Sequence, residues 1–436
     1  MKRMTLLLLV LAFSTFANAK EGIRFHPNRL IVKMNKGQQV PHSKYITGVK
    51  NLFGTHYVVQ TSAVEELQNE LSGNSNVTYT EKDYYAGKRD LGYLVPTPLP
   101  HSFKSAPSFN DPKLSRQWLF KDAVKHGISV SKAYSENIST PQKEIIVAVV
   151  DTGVDYNHED LKEVMWVNAG EIPGNGIDDD ANGYIDDIHG INTLVRDSNG
   201  NATVNMMDGH SHGSHVSGII GAKQNNGKGI AGIASNVRIM GIRTVPNSAD
   251  ELDVDVAEAF IYAAKNGAKI INCSFGKAHN EGGQMVAEAI KHIGEEYGVL
   301  VVAASGNSSA DIDRRLTYPA SFPNEHLMVV ASTTSGGRMS YFSNYGARNV
   351  DLAAPGSSIY STVPGNRYSS MSGTSMASPA SAGVAAEVLS NFPNLTPLQL
   401  KAVLMDSTTP IGRFSGRMVS GGRIDLVRAL QKASEL

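Results

Sequence analysis

The sequence KEIIVAVVDTGVD at residues 143–155 decides the fold, because its apolar run is continuous and leads into an aspartate. Continuous apolar strands are typical of parallel sheets that are covered on both faces. Helical stretches such as 251–266 separate the later apolar runs. The sequence therefore predicts an α/β fold in which helices sandwich a parallel sheet. The later apolar runs lie at residues 237–242, 268–273, 299–304 and 327–331.

Polar motifs occur where these strands end or where helices begin. Asp151 ends the first strand, and Asn307 follows another strand in the sequence ASGN. His212 lies in HSHGSHVSG and Ser375 in SGTSMASP, each at the predicted start of a helix. Each motif alone is a weak signal, since an aspartate that ends a strand is often only a cap. Together they supply an acid, a base, a nucleophile and an oxyanion donor at one edge of the sheet.

These motifs resemble the signature of the subtilisin family, which has the same chain order Asp, His, Ser. The resemblance runs from NDP at 110–112 to GRID at 422–425. It implies a serine endopeptidase that works through an acyl-enzyme, with Asp151, His212 and Ser375 as catalytic triad and Asn307 as oxyanion donor. A catalytically silent relative would lack a triad member, and none is missing. A lipase-like hydrolase would need Gly-x-Ser-x-Gly, which Ser375 does not have.

Two histidines flank the base that the resemblance implies. The spacing i, i+2, i+5 of the three histidines does not place them on one helix face, so a metal site is not predicted. The family places its base at the first histidine of His-Gly-x-His, which is His212. We therefore assign His210 and His215 to surface or packing roles.

The resemblance also implies where substrate binds. One predicted segment is an edge strand that pairs with extended peptide backbone, and a second set lines the pocket beside the scissile bond. No acidic residue is evident in that pocket, so we expect broad specificity with an apolar preference. The edge segment is Ser274, Phe275 and Gly276, and the pocket residues are Ala304, Gly306 and Thr317.

Residues 1–19 read as a signal peptide, with a basic start, an apolar stretch and a final Ala-Asn-Ala. A buried N-terminal helix is the alternative interpretation. We expect a secreted protein, extracellular or periplasmic, with no membrane segment in the mature form. Cys273 is the single cysteine, so an internal disulfide is excluded, and we expect its side chain to be a buried apolar group.

Residues 20–106 predict a separate small α+β domain followed by a Pro-rich linker. Strand-like runs surround an amphipathic helix at 62–71, and prolines interrupt residues 95–107. The linker is expected to be exposed, an ordered surface arm being the alternative. The domain is similar to the family's inhibitory propeptide. This implies a zymogen that processes itself, with residues 107–436 as the peptidase domain.

The charge distribution limits the partners. The chain carries a net charge of −1, so no nucleic-acid or anionic membrane partner is indicated. Residues 20–110 hold 11 Lys or Arg and 7 Asp or Glu, which leaves the remainder acidic. Either the two parts attract each other across an interface or the imbalance is chance. The expected partners are protein or peptide substrates and the chain's own propeptide, and we expect a monomer.

An acidic insertion, GIDDDANGYIDD at residues 176–187, separates Asp151 from His212. Alternating acidic and amide residues followed by a glycine resemble the start of an EF-hand calcium loop, although position twelve is a histidine. A structural calcium ion is therefore predicted, a solvated acidic loop being the alternative. By analogy with the family, a second site near Asn225 would use Asp160. The predicted ligands of the insertion are Asp178, Asp180, Asn182, Tyr184 and Asp186.

Overall fold

The computed structural model describes residues 23–86, 109–198, 200–278 and 282–436. The predicted signal peptide and the Pro-rich linker up to residue 108 lie outside the described residues. Within the described ranges, no helix is both long enough and apolar enough to span a bilayer.

Residues 23–86, called the N-terminal unit below, form an antiparallel sheet with one helix. The strands are β1 (Ile23–Met34), β2 (Ile46–Phe53), β3 (His56–Thr61) and β4 (Val77–Ala86), in the order β2-β3-β1-β4. Helix α1 (Val64–Ser72) buries Val64, Leu67 and Leu71 against this sheet. The expected small α+β unit is therefore present, with its helix at the amphipathic stretch.

A mostly parallel ten-stranded sheet forms the rest of the framework. Its spatial order is β15-β16-β12-β11-β10-β9-β5-β8-β6-β7, and only the outer pairs β6/β7 and β15/β16 are antiparallel. A separate hairpin joins β13 (Ile359–Val363) to β14 (Arg367–Met371). The strands of the large sheet are β5 (Ile145–Asp151), β6 (Gly190–Arg196), β7 (Ala202–Thr203), β8 (Val237–Arg243), β9 (Ile270–Cys273), β10 (Leu300–Ala304), β11 (Leu327–Thr333), β12 (Leu352–Pro355), β15 (Thr409–Pro410) and β16 (Gly422–Arg423).

Helices cover both faces of this sheet, which confirms the predicted fold class. In β5, Val147 and Val149 join the core that includes α3 and α6, whereas Ala148 and Val150 join the core of α4 and α5. This two-sided burial explains why the strand is apolar throughout. The helices are α2 (Val130–Ser135), α3 (His212–Gly221), α4 (Asp253–Lys265), α5 (Gln284–Tyr297), α6 (Thr374–Asn391), α7 (Pro397–Asp406) and α8 (Leu426–Ala433).

The N-terminal unit packs its sheet against α4 and α5. Ile31 and Val58 are buried in the same apolar core as these helices. Basic side chains of the unit meet acidic side chains of the helices: Arg29 lies 2.9 Å from Asp255, and Lys33 lies 2.6 Å from Glu288. The interface thus combines apolar burial with paired charges.

Candidate active site

Asp151 and His212 form the centre of the site. Asp151 is the last residue of β5 and His212 the first of α3, and their Oδ1 and Nδ1 atoms lie 2.7 Å apart. Asp151 is fully buried, and His212 is 1% exposed. The backbone N–H groups of Thr244 and Val245 both donate to the Asp151 carbonyl and fix the strand end. This arrangement presents the opposite ring nitrogen of His212 for proton transfer.

Gly213 allows helix α3 to begin this close to the strand end. A β-carbon at this position would lie 2.0 Å from the carbonyl oxygen of Gly153 and 3.1 Å from the β-carbon of Asp151. No side chain fits such an approach of two backbone segments. The glycine of the HG motif is therefore required for the contact between Asp151 and His212.

Ser375 is the second residue of α6, so its N–H has no partner in the preceding turn. Its hydroxyl donates to the Ser274 carbonyl at 3.1 Å. The Nε2 atom of His212 has no hydrogen-bond partner among the described residues. Transfer of the Ser375 proton to His212 therefore requires the hydroxyl to turn away from Ser274. Catalytic hydrogen bonds are often incomplete before substrate is bound.

Asn307 faces the start of the same helix. Its Oδ1 accepts hydrogen bonds from the N–H and the hydroxyl of Thr374, at 2.9 and 3.0 Å. These two bonds fix the amide orientation. The Nδ2 group consequently points towards Gly373, where a β-carbon would lie 3.8 Å from Nδ2 and 3.7 Å from the β-carbon of Ser375. Nδ2 and the Ser375 N–H are thus two donors at one place, which is suited to an oxyanion.

One pocket is lined by Ser375, Asn307 and every predicted substrate-binding residue. None of the residues that line it in the described part of the chain carries a charge. Sequence reasoning missed Asn344, whose buried amide donates to the Ser305 carbonyl and accepts from the N–H groups of Ser308 and Ala310, shaping the loop around Asn307. The lining residues predicted from the sequence are Ser274, Phe275, Gly276, Ala304, Gly306 and Thr317, together with Asn307 and Ser375.

The neighbouring histidines have other environments. His215 is fully buried, and its Nε2 donates to the carbonyls of Ile359 and Ser369 at 3.0 and 3.1 Å. Burial and the nearby His212 lower the pKa of His215 to about 3, so its ring stays neutral. His210 is partly exposed, and its backbone N–H donates to Asp208.

Cys273 is fully buried at the end of β9. Burial, with a smaller effect of the carboxylates of Glu251 and Asp151, raises the pKa of its thiol well above the usual value. A thiol that stays protonated is a poor nucleophile.

The acidic insertion contains a group of carboxylates that could hold a metal ion. One oxygen each of Glu171, Asp178 and Asp180 lies within 4.8 Å of the others. We call these residues the three-carboxylate cluster. Sequence reasoning missed Glu171 because it precedes the repeated acidic pattern by several residues. Its carboxylate accepts backbone N–H groups of residues 179, 180 and 186, which brings it beside the loop.

The other predicted metal ligands lie outside this cluster. Asn182 accepts from the Tyr184 N–H, and Asp186 accepts from the N–H groups of Gly174 and Gly176. The hydroxyl of Tyr184 donates to Glu258 at 2.9 Å. Backbone donors contact the oxygens of Asn182 and Asp186, as they do those of Asp178. The ligand set predicted from the sequence, which includes Asn182 and Asp186, therefore stays a prediction.

Asp160 lies apart from the insertion. Its Oδ1 accepts from Asn226, and its Oδ2 accepts from the Ile230 N–H and the Tyr368 hydroxyl, each at 2.9 Å. Three donors thus contact the carboxylate of Asp160, and its role in a second calcium site stays a prediction. The sequence could not show these contacts, because Tyr368 comes from the β13–β14 hairpin.

Comparisons with known proteins identify the family of the chain. The subtilase family model (peptidase S8) matches residues 142–422. Subtilisin-like protease 1 of Plasmodium berghei is 32% identical over 346 residues, which cover 74% of this chain and 55% of that protein. The thermophilic serine proteinase of Bacillus sp. strain AK1 is 39% identical over 249 residues, 57% of this chain and 53% of that protein.

A third relative is the halolysin-like extracellular serine protease Nep of Natrialba magadii, 33% identical over 316 residues, 72% of this chain and 51% of that protein. The chain spans about half the length of these curated relatives. Among solved structures, a protease from Pseudoalteromonas arctica has a TM-score of 0.59 at 26% identity, covering 75% of this chain and 99% of that one. The chain belongs to the subtilase family.

Proposed function

We propose that the chain is a serine endopeptidase with Asp151, His212 and Ser375 as its catalytic triad. The observation that carries the proposal is the 2.7 Å contact between Asp151 and His212 at the sheet edge where Ser375 begins a helix. Asn307, with its amide fixed by Thr374, supplies the second oxyanion donor. Family membership supports the same reaction, since the relatives above are named as proteases.

The residues perform the steps in order. The Ser375 oxygen attacks the peptide carbonyl carbon while its proton passes to Nε2 of His212. Asp151 holds the imidazole tautomer and stabilises the imidazolium. The oxyanion lies between the Ser375 N–H and the Asn307 amide. The imidazolium then protonates the leaving amine, and water, deprotonated by His212, hydrolyses the acyl-enzyme.

Substrate is proposed to bind as an extended strand along residues 274–276. The adjacent pocket is uncharged, which supports broad specificity with an apolar preference. An uncharged pocket gives no fixed partner for a basic or acidic side chain and therefore selects mainly by size and apolar contact.

The N-terminal unit is proposed to be an inhibitory propeptide in a precursor that processes itself. Strand β4 ends beside the predicted substrate edge, where Lys277 donates to the Tyr84 carbonyl at 2.9 Å. Two acidic residues of β4 also accept backbone N–H groups at the starts of α4 and α5. Asp83 accepts the Val254 N–H at 3.1 Å, and Glu81 accepts the Gly283 N–H at 2.7 Å.

Neither helix has a side-chain cap at its own N-cap residue, so the N-terminal unit satisfies backbone donors of α4 and α5. This contact supports a role of the unit in folding as well as inhibition. We propose that residues 20–106, including the linker, are removed and that residues 107–436 form the active peptidase. The predicted signal peptide supports secretion, either out of the cell or into a periplasm, and we propose that the protein is a monomer.

The three-carboxylate cluster is proposed to bind calcium. Carboxylate oxygens are ligands that this ion prefers, and Glu171, Asp178 and Asp180 make no ion pair with Lys or Arg in the described ranges. The ion would neutralise the cluster and hold the loop to the segment before it. Asn182, Asp186 and the backbone carbonyl of Tyr184 remain proposed further ligands, and Asp160 remains the proposed ligand of a second site.

The test compares wild type with Ser375→Ala on casein, with N-terminal sequencing of both proteins. We expect the variant to stay at precursor length and to show no hydrolysis. Ser381→Ala is the matched control, because Ser381 is a buried serine of the same helix whose hydroxyl has no partner among the described residues. It should process itself and cleave casein like wild type. Equal hydrolysis by Ser375→Ala and wild type would contradict the proposal.

A further inference from the structure

Asp208 is a buried carboxylate, 7% exposed, between the strand end that carries Asp151 and the helix that carries His212. One oxygen accepts hydrogen bonds from the Thr152 hydroxyl at 2.9 Å and from two backbone N–H groups. The other accepts from the N–H of Ser214 at 3.0 Å and from its hydroxyl at 2.7 Å. Five donors thus converge on one side chain that takes no part in the reaction described above.

These donors lie directly beside the proposed acid and base. Thr152 follows Asp151, and its hydroxyl oxygen accepts the N–H of Gly213, the residue after His212, at 3.0 Å. On the other side, the Ser214 hydroxyl accepts the Asp155 N–H at 2.9 Å. Asp208 therefore connects the loop that follows β5 with the first turn of α3 at two points.

The start of α3 depends on this connection. Its N-cap residue, Ser211, makes no side-chain capping bond and has a φ of 85°, a left-handed conformation that is unfavourable for a serine. Asp208 accepts the N–H of Ser211 itself and that of Ser214 in the first turn. Its negative charge also suits a helix N-terminus. The carboxylate thus compensates the strained residue next to His212.

We propose that Asp208 is a positioning residue that sets the His212 ring relative to Asp151. The inference rests on the proposed protease function. This role differs from a general structural one because Asp208 binds the hydroxyl of Thr152. Thr152 follows Asp151 in the chain and also binds the residue after His212, so it links the proposed acid to the proposed base. Small displacements of a general base reduce the rate of the chemical step strongly and affect ground-state binding little.

The isosteric Asp208→Asn variant should disrupt these hydrogen bonds. Both oxygens of Asp208 accept from donors, so an asparagine would have to turn its NH2 group towards one set of donors. We expect kcat for a peptide substrate to fall by about 10- to 100-fold, with KM within about twofold. Thr152→Val removes the bridging hydroxyl but keeps the Asp208 charge, so it should lower kcat in the same way. Thr152→Ser restores the hydroxyl and should behave like wild type.

The experiment measures kcat, KM and melting temperature for these full-chain variants after self-processing, at a temperature where each is folded. Asp351→Asn is the matched control, since Asp351 is a buried aspartate that pairs with Lys401 away from the site. It should lower the melting temperature and leave kcat unchanged.

Unchanged kcat in Thr152→Val would overturn the proposal, as would an Asp208→Asn variant that is only less stable. If Asp208→Asn does not fold, the two Thr152 variants decide the question. A wild-type chain without hydrolysis would instead contradict the proposed function itself.

Discussion

Two acidic regions of the molecule differ in the partners of their carboxylates. On helix α4, Asp253, Asp255 and Glu258 are all at most 3% exposed. Each of them contacts a basic side chain. Lys277 lies 2.7 Å from Asp253, Arg29 contacts Asp255, Lys50 contacts Glu258, and Arg196 binds both Asp255 and Glu258.

The three-carboxylate cluster has no such partners in the described part of the chain, and its oxygens instead accept backbone and amide N–H groups. On α4, two of the cations, Arg29 and Lys50, belong to the N-terminal unit. The carboxylates of α4 thus depend in part on cations of the N-terminal unit, which is proposed to be removed. For the insertion, the proposed positive group is a calcium ion.

The largest expected effect concerns Arg29, which lies between the buried carboxylates of Asp83 and Asp255. Arg29→Ala leaves these charges without their common partner. In the full chain carrying Ser375→Ala, it should lower the free energy of unfolding of the N-terminal unit by about 3 kcal/mol, measured by urea denaturation. Lys36→Ala, at an exposed position, is the control and should change it by less than about 0.5 kcal/mol. Equal effects of the two variants would mean that the buried charges are not what holds the unit.

The next effect concerns the three-carboxylate cluster. Chelation should lower the melting temperature, because an ion present at 100 times its dissociation constant stabilises the folded chain by about 2.7 kcal/mol. Asp178→Ala combined with Asp180→Ala should remove most of this response. Asp160→Asn should keep it, since Asp160 lies elsewhere and is bound by three donors. A melting temperature that does not change on chelation would show that the insertion is not stabilised by a bound ion.

A smaller effect concerns pH at the interface. Burial, and next Asp253, raise the pKa of Glu81 to about 8. The carboxylates of Glu81 and Asp253 both lie beside Gly282. A β-carbon on this glycine would be 3.0 Å from an oxygen of each. A raised native pKa stabilises the folded chain below the unfolded pKa, near 4.5, and this contribution is lost as pH rises through about 8.

Between about pH 6.5 and 8, Glu81 should therefore remove up to about 1.4 kcal/mol of stability per pH unit. Burial raises the pKa of Asp83 as well, whereas His26, whose pKa burial lowers to about 4, acts below this window. Glu81→Gln in the Ser375→Ala chain should flatten the dependence of the urea midpoint on pH. An identical pH slope in both chains would contradict this assignment.

The smallest effect concerns Lys50, whose side chain is 35% exposed although it contacts the buried Glu258. Lys50→Met should lower the free energy of unfolding by about 1 kcal/mol or less in the same urea experiment, because Arg196 still binds Glu258 and water screens the ammonium. If Lys50→Met lowered the free energy of unfolding as much as Arg29→Ala, the strength of these ion pairs would not depend on their exposure.

Local patterns in the sequence were sufficient for the central strands and for the proposed triad. The apolar run of β5 leads directly to Asp151. Helix α3 begins at His212, and α6 begins one residue before Ser375. The family resemblance, and no local pattern, predicts the pocket residues Ala304 and Gly306. In a parallel sheet, the carboxyl ends of the strands lie at one edge regardless of their separation in the chain. Motifs that follow these strands are therefore expected to lie near one another.

Other features depend on contacts between distant segments, which periodicity does not encode. The partners of Arg29 and the helix contacts of Asp83 arise only when the N-terminal unit meets α4. Glu171 contacts the insertion through backbone N–H groups of the loop, and Asp186 accepts backbone N–H groups of residues 174 and 176. Bonds between short polar side chains and nearby backbone of this kind are not visible as a period in the sequence.

In the proposed mechanism, Ser375 is a nucleophile activated by His212. The most direct measurement is the site of covalent labelling by a fluorophosphonate, located by peptide mass spectrometry in the self-processed wild type and in full-length His212→Ala. We predict a single adduct on Ser375 in the wild type and essentially none in His212→Ala. An adduct on a different residue, or equal labelling of both proteins, would contradict it.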